Sequence, residues 1–348
     1  YNINLNNPRA KILDYDKLGS SFDFASSVTK FEEWDHLQPG ETMCLEISRG
    51  CMFKCQFCDY PLLGRKKTDP TYIRHVDVLA DELRDNWERF KIHRYLIVDS
   101  TFNESTEKLL QIQESIRRSG VNVRFYAFLR IDLLYRYPEQ VRILKDMGLE
   151  AAFFGIESLN PESLKSISKP YNIKKLEEFL PYMYKEWHGH VLTTGSYIVG
   201  LPGETPETFR KWWDWIINYE YGLDKARLSG LEIRDRQGWR SMFGDDAEKY
   251  GYTLHQHHGG DAKITKMWSN QHWDNLECER LVAEIQQELR SSGKRDCIGG
   301  FQIMALQRLG YTFQELYLQP ISKWDFGETL QRLKKWKAKD RKSTRLNS

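Results

Sequence analysis

Three cysteines within eight residues constrain this chain more than any other feature of its sequence. Cys51, Cys55 and Cys58 have the spacing C-x3-C-x2-C and directly follow a run, Met43 to Ile47, that predicts a β-strand. A short loop with this spacing can bring all three sulfurs into one small volume. Four thiolates would close a structural zinc or iron–sulfur site, whereas three leave one position of the metal centre open. The spacing therefore predicts a reactive metal centre rather than a structural one.

The residues around the cysteines carry a family resemblance. An aromatic residue, Phe57, directly precedes the last cysteine, and the pattern C-x3-C-x-Φ-C resembles the signature of the radical S-adenosylmethionine (SAM) superfamily. The resemblance implies a 4Fe–4S cluster on Cys51, Cys55 and Cys58, with SAM on the open iron. It also implies reductive cleavage of SAM to a 5′-deoxyadenosyl radical, with an electron donor such as flavodoxin or ferredoxin. A zinc knuckle or three unrelated thiols is the alternative interpretation.

Composition places few limits on partners. A chain of 348 residues with 40% apolar residues suits one large or two modest globular domains. The formal net charge of +2 hides a basic end, because residues 332–348 contain eight Lys or Arg against one Asp. Such an end is typical of a solvated tail, and the remaining charge gives no indication of nucleic-acid binding.

The sequence gives no sign of membrane insertion or export. It contains no run of about 18 apolar residues and does not open with a signal-peptide pattern. Six cysteines are too few for a disulfide scaffold in a chain of this length. We therefore expect a cytoplasmic protein with no membrane partner.

From Glu41 onward, apolar runs that resemble strands alternate with amphipathic helical segments. Six such units with short connections predict an α/β fold, a partial (β/α)6 TIM-like barrel of parallel strands over residues 41–235. The predicted strands cover residues 42–47, 93–98, 123–128, 150–154, 191–199 and 226–233.

The remaining segments lack this rhythm. Residues 1–40 are rich in turn formers and are interpreted as a lead-in or interdomain linker. Residues 236–331 are expected to form a mostly helical C-terminal cap, with helices at 276–291, 300–309 and 329–336. Residues 332–348 are interpreted as a basic, disordered tail.

Polar and glycine-rich segments follow the predicted strands at their carboxyl ends. Parallel α/β folds place their active sites at this end of the sheet, so the cysteine loop and these segments should face one mouth. The residues of interest in these segments are Asp99, Ser100, Arg130, Glu157, Ile198 and Gly200.

Two of these segments extend the family resemblance. Gly155-Ile156-Glu157-Ser158 and the run from Tyr197 to Thr205 resemble the strand-four and strand-five regions of the branch that includes methylthiotransferases and cobalamin-dependent enzymes. In that branch these strand ends hold the ribose and adenine of SAM. The resemblance implies that Glu157 contacts the SAM ribose or amino group. It also implies that Phe57, Ile198 and Gly200 lie beside the adenine.

Other assignments stay open at this level. Asp99-Ser100-Thr101 stands where the family often has Gly-Gly-Glu, so Asp99 and Ser100 are candidates for binding the SAM amine without a decision between them. Arg130 either contacts the SAM carboxylate or only pairs with Asp132 or Glu157.

The preferred function is a radical SAM enzyme that modifies an unknown small molecule or peptide. It could be the catalytic part of a cobalamin-dependent methyltransferase, although the sequence contains no Asp-x-His-x-x-Gly signature of cobalamin binding. An RNA methylthiotransferase-like enzyme is one alternative. A non-catalytic zinc or iron–sulfur module is another, and it would require a closed site with a fourth ligand.

Overall fold

Six strands form one parallel sheet in chain order, each paired with its neighbours in sequence. The computed structural model describes residues 23–32, 37, 39, 41–60, 63–65, 70–234, 241–255, 265–295, 331 and 335. Within these residues the first and last strands of the sheet do not pair, which confirms the predicted partial barrel. The strands are β1 (Thr42–Leu45), β2 (Arg94–Ile97), β3 (Arg124–Leu129), β4 (Leu149–Glu157), β5 (Leu192–Val199) and β6 (Lys225–Gly230).

Helices connect consecutive strands. The connecting helices are α1 (Val76–Phe90), α2 (Thr106–Ser119), α3 (Ile131–Arg136), α4 (Glu139–Asp146), α5 (Pro161–Ser166), α6 (Ile173–Trp187) and α7 (Pro206–Asn218). Within the described residues, no helix combines the length and the apolar character needed to cross a membrane.

Side-chain caps determine where several of these helices begin. Ser105, Asn172 and Thr205 precede α2, α6 and α7, and each side chain accepts a hydrogen bond from the backbone N–H three residues further on. The cap satisfies a donor that has no partner inside the helix, which contributes about 1 kcal/mol per helix start. The polar residue before each helical run thus ends the preceding loop at a defined point.

The largest core side chains lie between the sheet and the helices. Phe154 on β4 stacks on Trp187 of α6 with ring centroids 6.3 Å apart. Tyr197 on β5 contacts Trp213 of α7 edge-on. The Trp187 indole N–H donates to the Val141 carbonyl at 2.9 Å, so its polar atom is satisfied inside the core. These contacts identify the face of the sheet that carries the helices.

Side chains alternate along each strand, so the neighbours of Phe154 and Tyr197 point away from these helices. These neighbours form the inner face of the sheet. The strand register aligns them in rows that run across the sheet. One row contains Leu96, Tyr126, Ala151 and Leu192, and the next row towards the carboxyl ends contains Phe128, Phe153, Thr194 and Lys225.

A small antiparallel sheet follows the parallel one. It contains β7 (Ile233–Arg234), β8 (Thr253–His255) and β9 (Thr265–Ser269) in the order β7-β9-β8, with α8 (Met242–Asp245) and α9 (Asn275–Ser292) on either side of β8 and β9 in the chain.

The prediction of a mostly helical segment after the barrel was therefore incomplete. The helix predicted at 276–291 is present as α9, whereas the small sheet was not predicted. Its strands have two, three and five residues, which is too short to give a periodic pattern. The helix predicted at 300–309 lies outside the described residues, as does most of the one at 329–336.

We expect the turn before β4 to tolerate no side chain. Gly148 has φ +98°, and an added Cβ would collide with the Val123 carbonyl oxygen. Gly148→Ala should therefore lower the free energy of unfolding by about 3 kcal/mol, because backbone strain and a backbone clash add. Urea denaturation followed by circular dichroism measures the loss.

Gly120 is the matched control for this prediction. It has φ +70° at the end of α2, and the space around an added Cβ is open. Gly120→Ala should cost only the left-handed strain, about 1 kcal/mol. Equal losses in the two variants would contradict the close approach of Val123 to Gly148.

Candidate functional site at the carboxyl ends of the strands

The cysteine loop follows β1 and closes on itself through backbone hydrogen bonds. The Arg65 N–H donates to the Cys51 carbonyl at 3.0 Å, and the Gly64 N–H donates to the Phe53 carbonyl at 3.2 Å. Cys51 also forms an isolated parallel bridge with Leu63. The loop is thus a compact closed unit and not an open excursion from the sheet.

The three thiols of this loop lie in a shielded environment. Cys51 and Cys55 are buried, and Cys58 is half-buried. Burial raises the pKa of the Cys58 thiol to about 11; the Tyr60 backbone N–H opposes this rise, and the neighbouring Cys55 and Cys51 add to it. The thiols are therefore close enough to interact electrostatically. Among the described residues, no group of three His, Cys, Asp or Glu could hold a single metal ion.

Two donors outside the loop point at its sulfurs. The Thr101 hydroxyl lies 3.5 Å from Cys51 Sγ, and Arg130 Nη1 lies 3.8 Å from Cys55 Sγ. A hydroxyl and a guanidinium can both donate hydrogen bonds to the sulfur ligands of a metal centre. Thr101 was named above only as part of the segment after β2 and was not predicted as a site residue.

Arg130 is held in place from two other sides. Its Nε and Nη2 donate to the two carboxylate oxygens of Asp132 at 2.9 and 3.1 Å, and its guanidinium carbon lies 3.9 Å from the centre of the Phe53 ring. Burial, the largest influence, opposes its charge, but Asp132 and the cysteines outweigh it and raise the pKa of Arg130. Of the alternatives left open above, the pairing with Asp132 is present.

Asp99 is fully engaged inside the protein. Its Oδ1 accepts hydrogen bonds from the backbone N–H groups of Ile47 and Ser48 at 2.9 and 3.0 Å, and its Oδ2 lies 3.2 Å from Lys108 Nζ. The side chains of Asp99 and Lys108 are both 0% exposed. Asp99 therefore positions the start of the cysteine loop, and both of its carboxylate oxygens have partners inside the protein.

A second buried ion pair fixes the far end of the loop. Arg65 Nη2 donates to both carboxylate oxygens of Glu104 at 2.6 and 2.8 Å, and its guanidinium stacks 3.4 Å above the Tyr72 ring centre. Glu104 follows β2, so this pair ties the returning strand of the loop to the neighbouring unit. The sequence analysis missed both residues, because charge alone does not identify a partner 39 positions away.

Glu157 ends β4 in a strained backbone conformation. Its φ is +71°, a region that non-glycine residues rarely adopt, and the β4–β5 register shifts between Gly155 and Glu157. Lys169 Nζ holds the carboxylate, donating to Glu157 Oε1 at 2.9 Å and to the Gly155 carbonyl at 2.7 Å. An added Cβ on Gly155 would lie 2.5 Å from Glu157 Oε1, so a side chain at this position would displace the Glu157 carboxylate.

The turn after β5 packs against the C-terminal segment. Gly200 has φ +92°, and an added Cβ would lie 2.5 Å from the Trp268 ring and 2.9 Å from Cys278 Sγ. The close approach that requires glycine is therefore made by these two side chains. Ile198 is buried. It belongs to the inner face of the sheet, because its neighbour Tyr197 faces the helices.

The remaining predicted site residues lie at the loop itself or beside it. Phe57 is half-buried and packs against the main core. Ser100 is exposed, and its side chain hydrogen-bonds to Tyr60 of the cysteine loop. Ser100 thus stands at the mouth next to the loop, whereas Asp99 beside it is buried.

Glu204 is a buried carboxyl group beside the strand-five turn. Its Oε1 accepts hydrogen bonds from the Ser158 hydroxyl and the Trp212 indole, both at 2.9 Å, whereas Oε2 is buried without a partner among the described residues. Its backbone carbonyl accepts the Trp273 indole N–H at 2.8 Å. Burial raises the pKa of Glu204 to about 7, against the smaller opposing effect of these hydrogen bonds.

The fold and the site together define a parallel α/β barrel with a loop of three cysteines at the carboxyl ends of its strands. Residues 45–216 match the model of the Radical SAM superfamily. The chain therefore carries a radical SAM domain, and enzymes of this superfamily use a 4Fe–4S cluster and SAM.

Several curated proteins are similar to this chain over its barrel. Bacteriochlorophyllide d C-12(1)-methyltransferase of Chlorobaculum tepidum is 26% identical over 199 residues, which are 56% of this chain and 41% of that protein. Hopanoid C-3 methylase of Methylococcus capsulatus is 29% identical over 139 residues, 40% of this chain and 25% of that protein. The ribosomal protein uS12 methylthiotransferase RimO of Bdellovibrio bacteriovorus is 25% identical over 205 residues, 53% and 42% of the two chains. The chain thus spans less than half the length of each relative.

A solved structure shares the fold. The radical SAM methyltransferase TsrM of Kitasatospora setae, determined with cobalamin and a 4Fe–4S cluster, matches with a TM-score of 0.50 and 20% identity. The match covers 66% of this chain and 45% of TsrM. At this identity the match supports the barrel architecture.

The residues of the loop fit a cluster bound by three cysteines. Cys51 and Cys55 each have a hydrogen-bond donor from a neighbouring strand end, so negative charge on the sulfurs would be compensated.

We expect the Thr101 hydroxyl to tune the cluster held by the cysteine loop. Hydrogen bonds to cluster sulfurs stabilise the more negative, reduced state. Thr101→Val should therefore make the reduction potential of the reconstituted cluster more negative, whereas Thr101→Ser, which keeps the hydroxyl, should restore it. A redox titration followed by electron paramagnetic resonance measures both, and identical potentials in all three proteins would contradict the hydrogen bond to Cys51.

We also expect Glu204 to make stability depend on pH. The carboxyl titrates near its ordinary pKa of 4.5 when unfolded and near 7 when folded, so the folded state binds more protons between these values. Stability should therefore fall as pH rises through this window and level off above it. Glu204→Gln keeps an acceptor for Ser158 and Trp212 but does not ionise.

The variant isolates the effect of Glu204 from that of other titrating groups. The free energy of unfolding of Glu204→Gln minus that of the unmodified protein should rise by about 2 to 3 kcal/mol between pH 5 and pH 8. Urea denaturation at both pH values measures it. A difference that does not change with pH would contradict an ionisable, buried Glu204.

Proposed function

We propose that this chain is the catalytic part of a radical SAM enzyme that reductively cleaves SAM and modifies an organic substrate. The observation that carries the proposal is the compact loop with three thiols, two of them facing donors, at the carboxyl end of a parallel barrel. When bound, the cluster supplies the electron that cleaves the SAM sulfonium to a 5′-deoxyadenosyl radical. Cys51, Cys55 and Cys58 hold that cluster.

The strand ends around the loop bind and orient SAM in this proposal. Glu157, fixed by Lys169, offers a carboxylate for the ribose hydroxyls or the amino group. Ile198 and Phe57 provide apolar contact for the adenine, and the backbone of Gly200 approaches it from the strand-five turn.

Two further residues are the candidates for binding the amine and the carboxylate of SAM. Ser100, exposed beside the loop, is the candidate for the SAM amine, because Asp99 is occupied by the loop backbone and Lys108. Arg130 keeps Nη1 directed towards Cys55 and is the candidate for the SAM carboxylate on the adjoining open position.

Methyl transfer is the reaction that the relatives favour. Two of them are named as a methyltransferase and a methylase, and TsrM was determined with cobalamin. We propose that cobalamin takes part, bound by a domain beyond the barrel. Methylthiotransfer is the second candidate, because RimO matches over a similar span.

The setting of the reaction follows from its chemistry. An electron donor such as flavodoxin or ferredoxin would deliver the electron in the reducing cytoplasm. Residues 41–235 would form the catalytic barrel, residues 236–331 the segment that covers it, and residues 1–40 the connection to a preceding domain.

The test is SAM cleavage by the anaerobically reconstituted protein. After reduction with dithionite, 5′-deoxyadenosine should appear by mass spectrometry, and the triple variant Cys51→Ala, Cys55→Ala, Cys58→Ala should give only background. Cys44→Ala is the matched control, because it removes a thiol on β1 outside the loop and should leave the product unchanged. Addition of cobalamin should then give S-adenosylhomocysteine if methyl transfer is the reaction.

Two results would contradict the proposal. One is a full cluster that never cleaves SAM. The other is uptake of one zinc ion with no SAM binding, which would indicate that the loop is a structural zinc site.

A further inference from the structure

An exposed apolar surface lies on the inner face of the sheet. Val98, the residue directly after β2, is 43% exposed, and Phe128 on β3 is 38% exposed. Phe128 lies edge-on to Phe153 of the next strand, with ring centroids 5.3 Å apart. These three side chains, named here the apolar floor, lie at the end of β2 and on β3 and β4. Contiguous exposed apolar side chains on a concave surface are typical of a binding site.

The apolar floor adjoins the proposed SAM site. Phe128 is two residues before Arg130, and Phe153 is two residues before Gly155, so each pair occupies one face of its strand. Two residues of a strand span about 7 Å. Arg130 points at Cys55, and Gly155 lies against the Glu157 carboxylate. A molecule on the floor would therefore lie directly below the reacting centre.

The same face carries positive charge on β6. Lys225 aligns with Thr194, and Arg227 aligns with Ser196, which places both on the inner face. Lys225 is half-buried and Arg227 is exposed, and neither forms an ion pair with a residue in the described part of the chain. Lys225 lies two strands from Phe153 in one row, a distance of about 10 Å.

We propose that this face binds a substrate with a flat apolar ring system and a carboxylate, the rings on the apolar floor and the carboxylate towards Lys225 and Arg227. The chemistry rests on the function proposed above, whereas the binding does not. Exposed aromatic edges favour stacking with a ring system, and two cations on one face favour an anion. SAM also carries a flat ring and a carboxylate, but the contacts proposed for it above lie at the strand ends, beyond the row that contains Phe128, Phe153 and Lys225.

The test compares two probes that differ only in charge. 1-Pyrenebutyrate carries four fused rings and a carboxylate, and 1-pyrenebutanol replaces the carboxylate with a neutral hydroxyl. Isothermal titration calorimetry on the reconstituted protein with SAM should give about tenfold tighter binding of the butyrate, a difference of about 1.4 kcal/mol. In the double variant Lys225→Gln, Arg227→Gln the preference for 1-pyrenebutyrate should disappear. The affinity for 1-pyrenebutanol should be unchanged.

Two further variants separate the parts of the site. Phe128→Ala should weaken both probes equally, because it removes ring contact and not charge. The double variant Lys174→Gln, Lys185→Gln removes two exposed charges from α6 on the outer side and should change neither affinity. Unaltered cluster content and circular dichroism establish that each variant is folded.

Several results would overturn the inference. They are equal affinity of the two probes for the unmodified protein, an unchanged preference after removal of Lys225 and Arg227, or displacement of SAM by 1-pyrenebutyrate. Formation of 5′-deoxyadenosine is measured on the same samples. SAM cleavage without probe discrimination overturns this inference alone, and probe discrimination without SAM cleavage overturns the proposed function alone.

Discussion

The position of the cysteine loop depends on one buried carboxylate. Asp99 accepts the backbone N–H groups of Ile47 and Ser48, so the chain leaves β1 in one direction only. Burying a carboxylate and an ammonium is costly unless their remaining hydrogen-bonding positions are filled. Here Lys108 also donates to the Ser48 hydroxyl and the Thr101 carbonyl, at 2.6 and 3.1 Å, so the pair is satisfied as well as neutralised. The loop begins from a rigid point that β1, β2 and α2 share.

Sequence patterns sufficed for the parts of the molecule that repeat. The alternation of apolar runs and amphipathic helices placed all six parallel strands, because each β–α unit is a local pattern. The cysteine spacing identified the loop for the same reason. Pairings between distant residues were beyond reach, because nothing local connects Arg65 with Glu104 or distinguishes Asp99 from Ser100 as the buried residue. The small antiparallel sheet escaped since its strands are too short to show a period.

Strain at the end of β4 is offset by a specific set of contacts. Glu157 adopts a left-handed backbone conformation that costs about 1 kcal/mol or more in a non-glycine residue. Lys169 bridges its carboxylate and the Gly155 carbonyl, and the Tyr171 hydroxyl hydrogen-bonds to the carbonyls of Ile156 and Ser158. The carboxylate is thus held in one orientation before any ligand arrives, which lowers the entropy cost of binding.

The contact between the strand-five turn and the C-terminal segment limits how this molecule can be divided. Trp268 and Cys278 fill the space above Gly200, and Trp273 donates to the carbonyl of Glu204. Cutting the chain after the sixth strand would remove the indole rings of Trp268 and Trp273 from that turn. The carboxyl group of Glu204, now buried, would then be exposed to water. In recombination between relatives, the turn and the segment that covers it would have to be exchanged together. The segment that must be exchanged as one piece is therefore longer than the barrel.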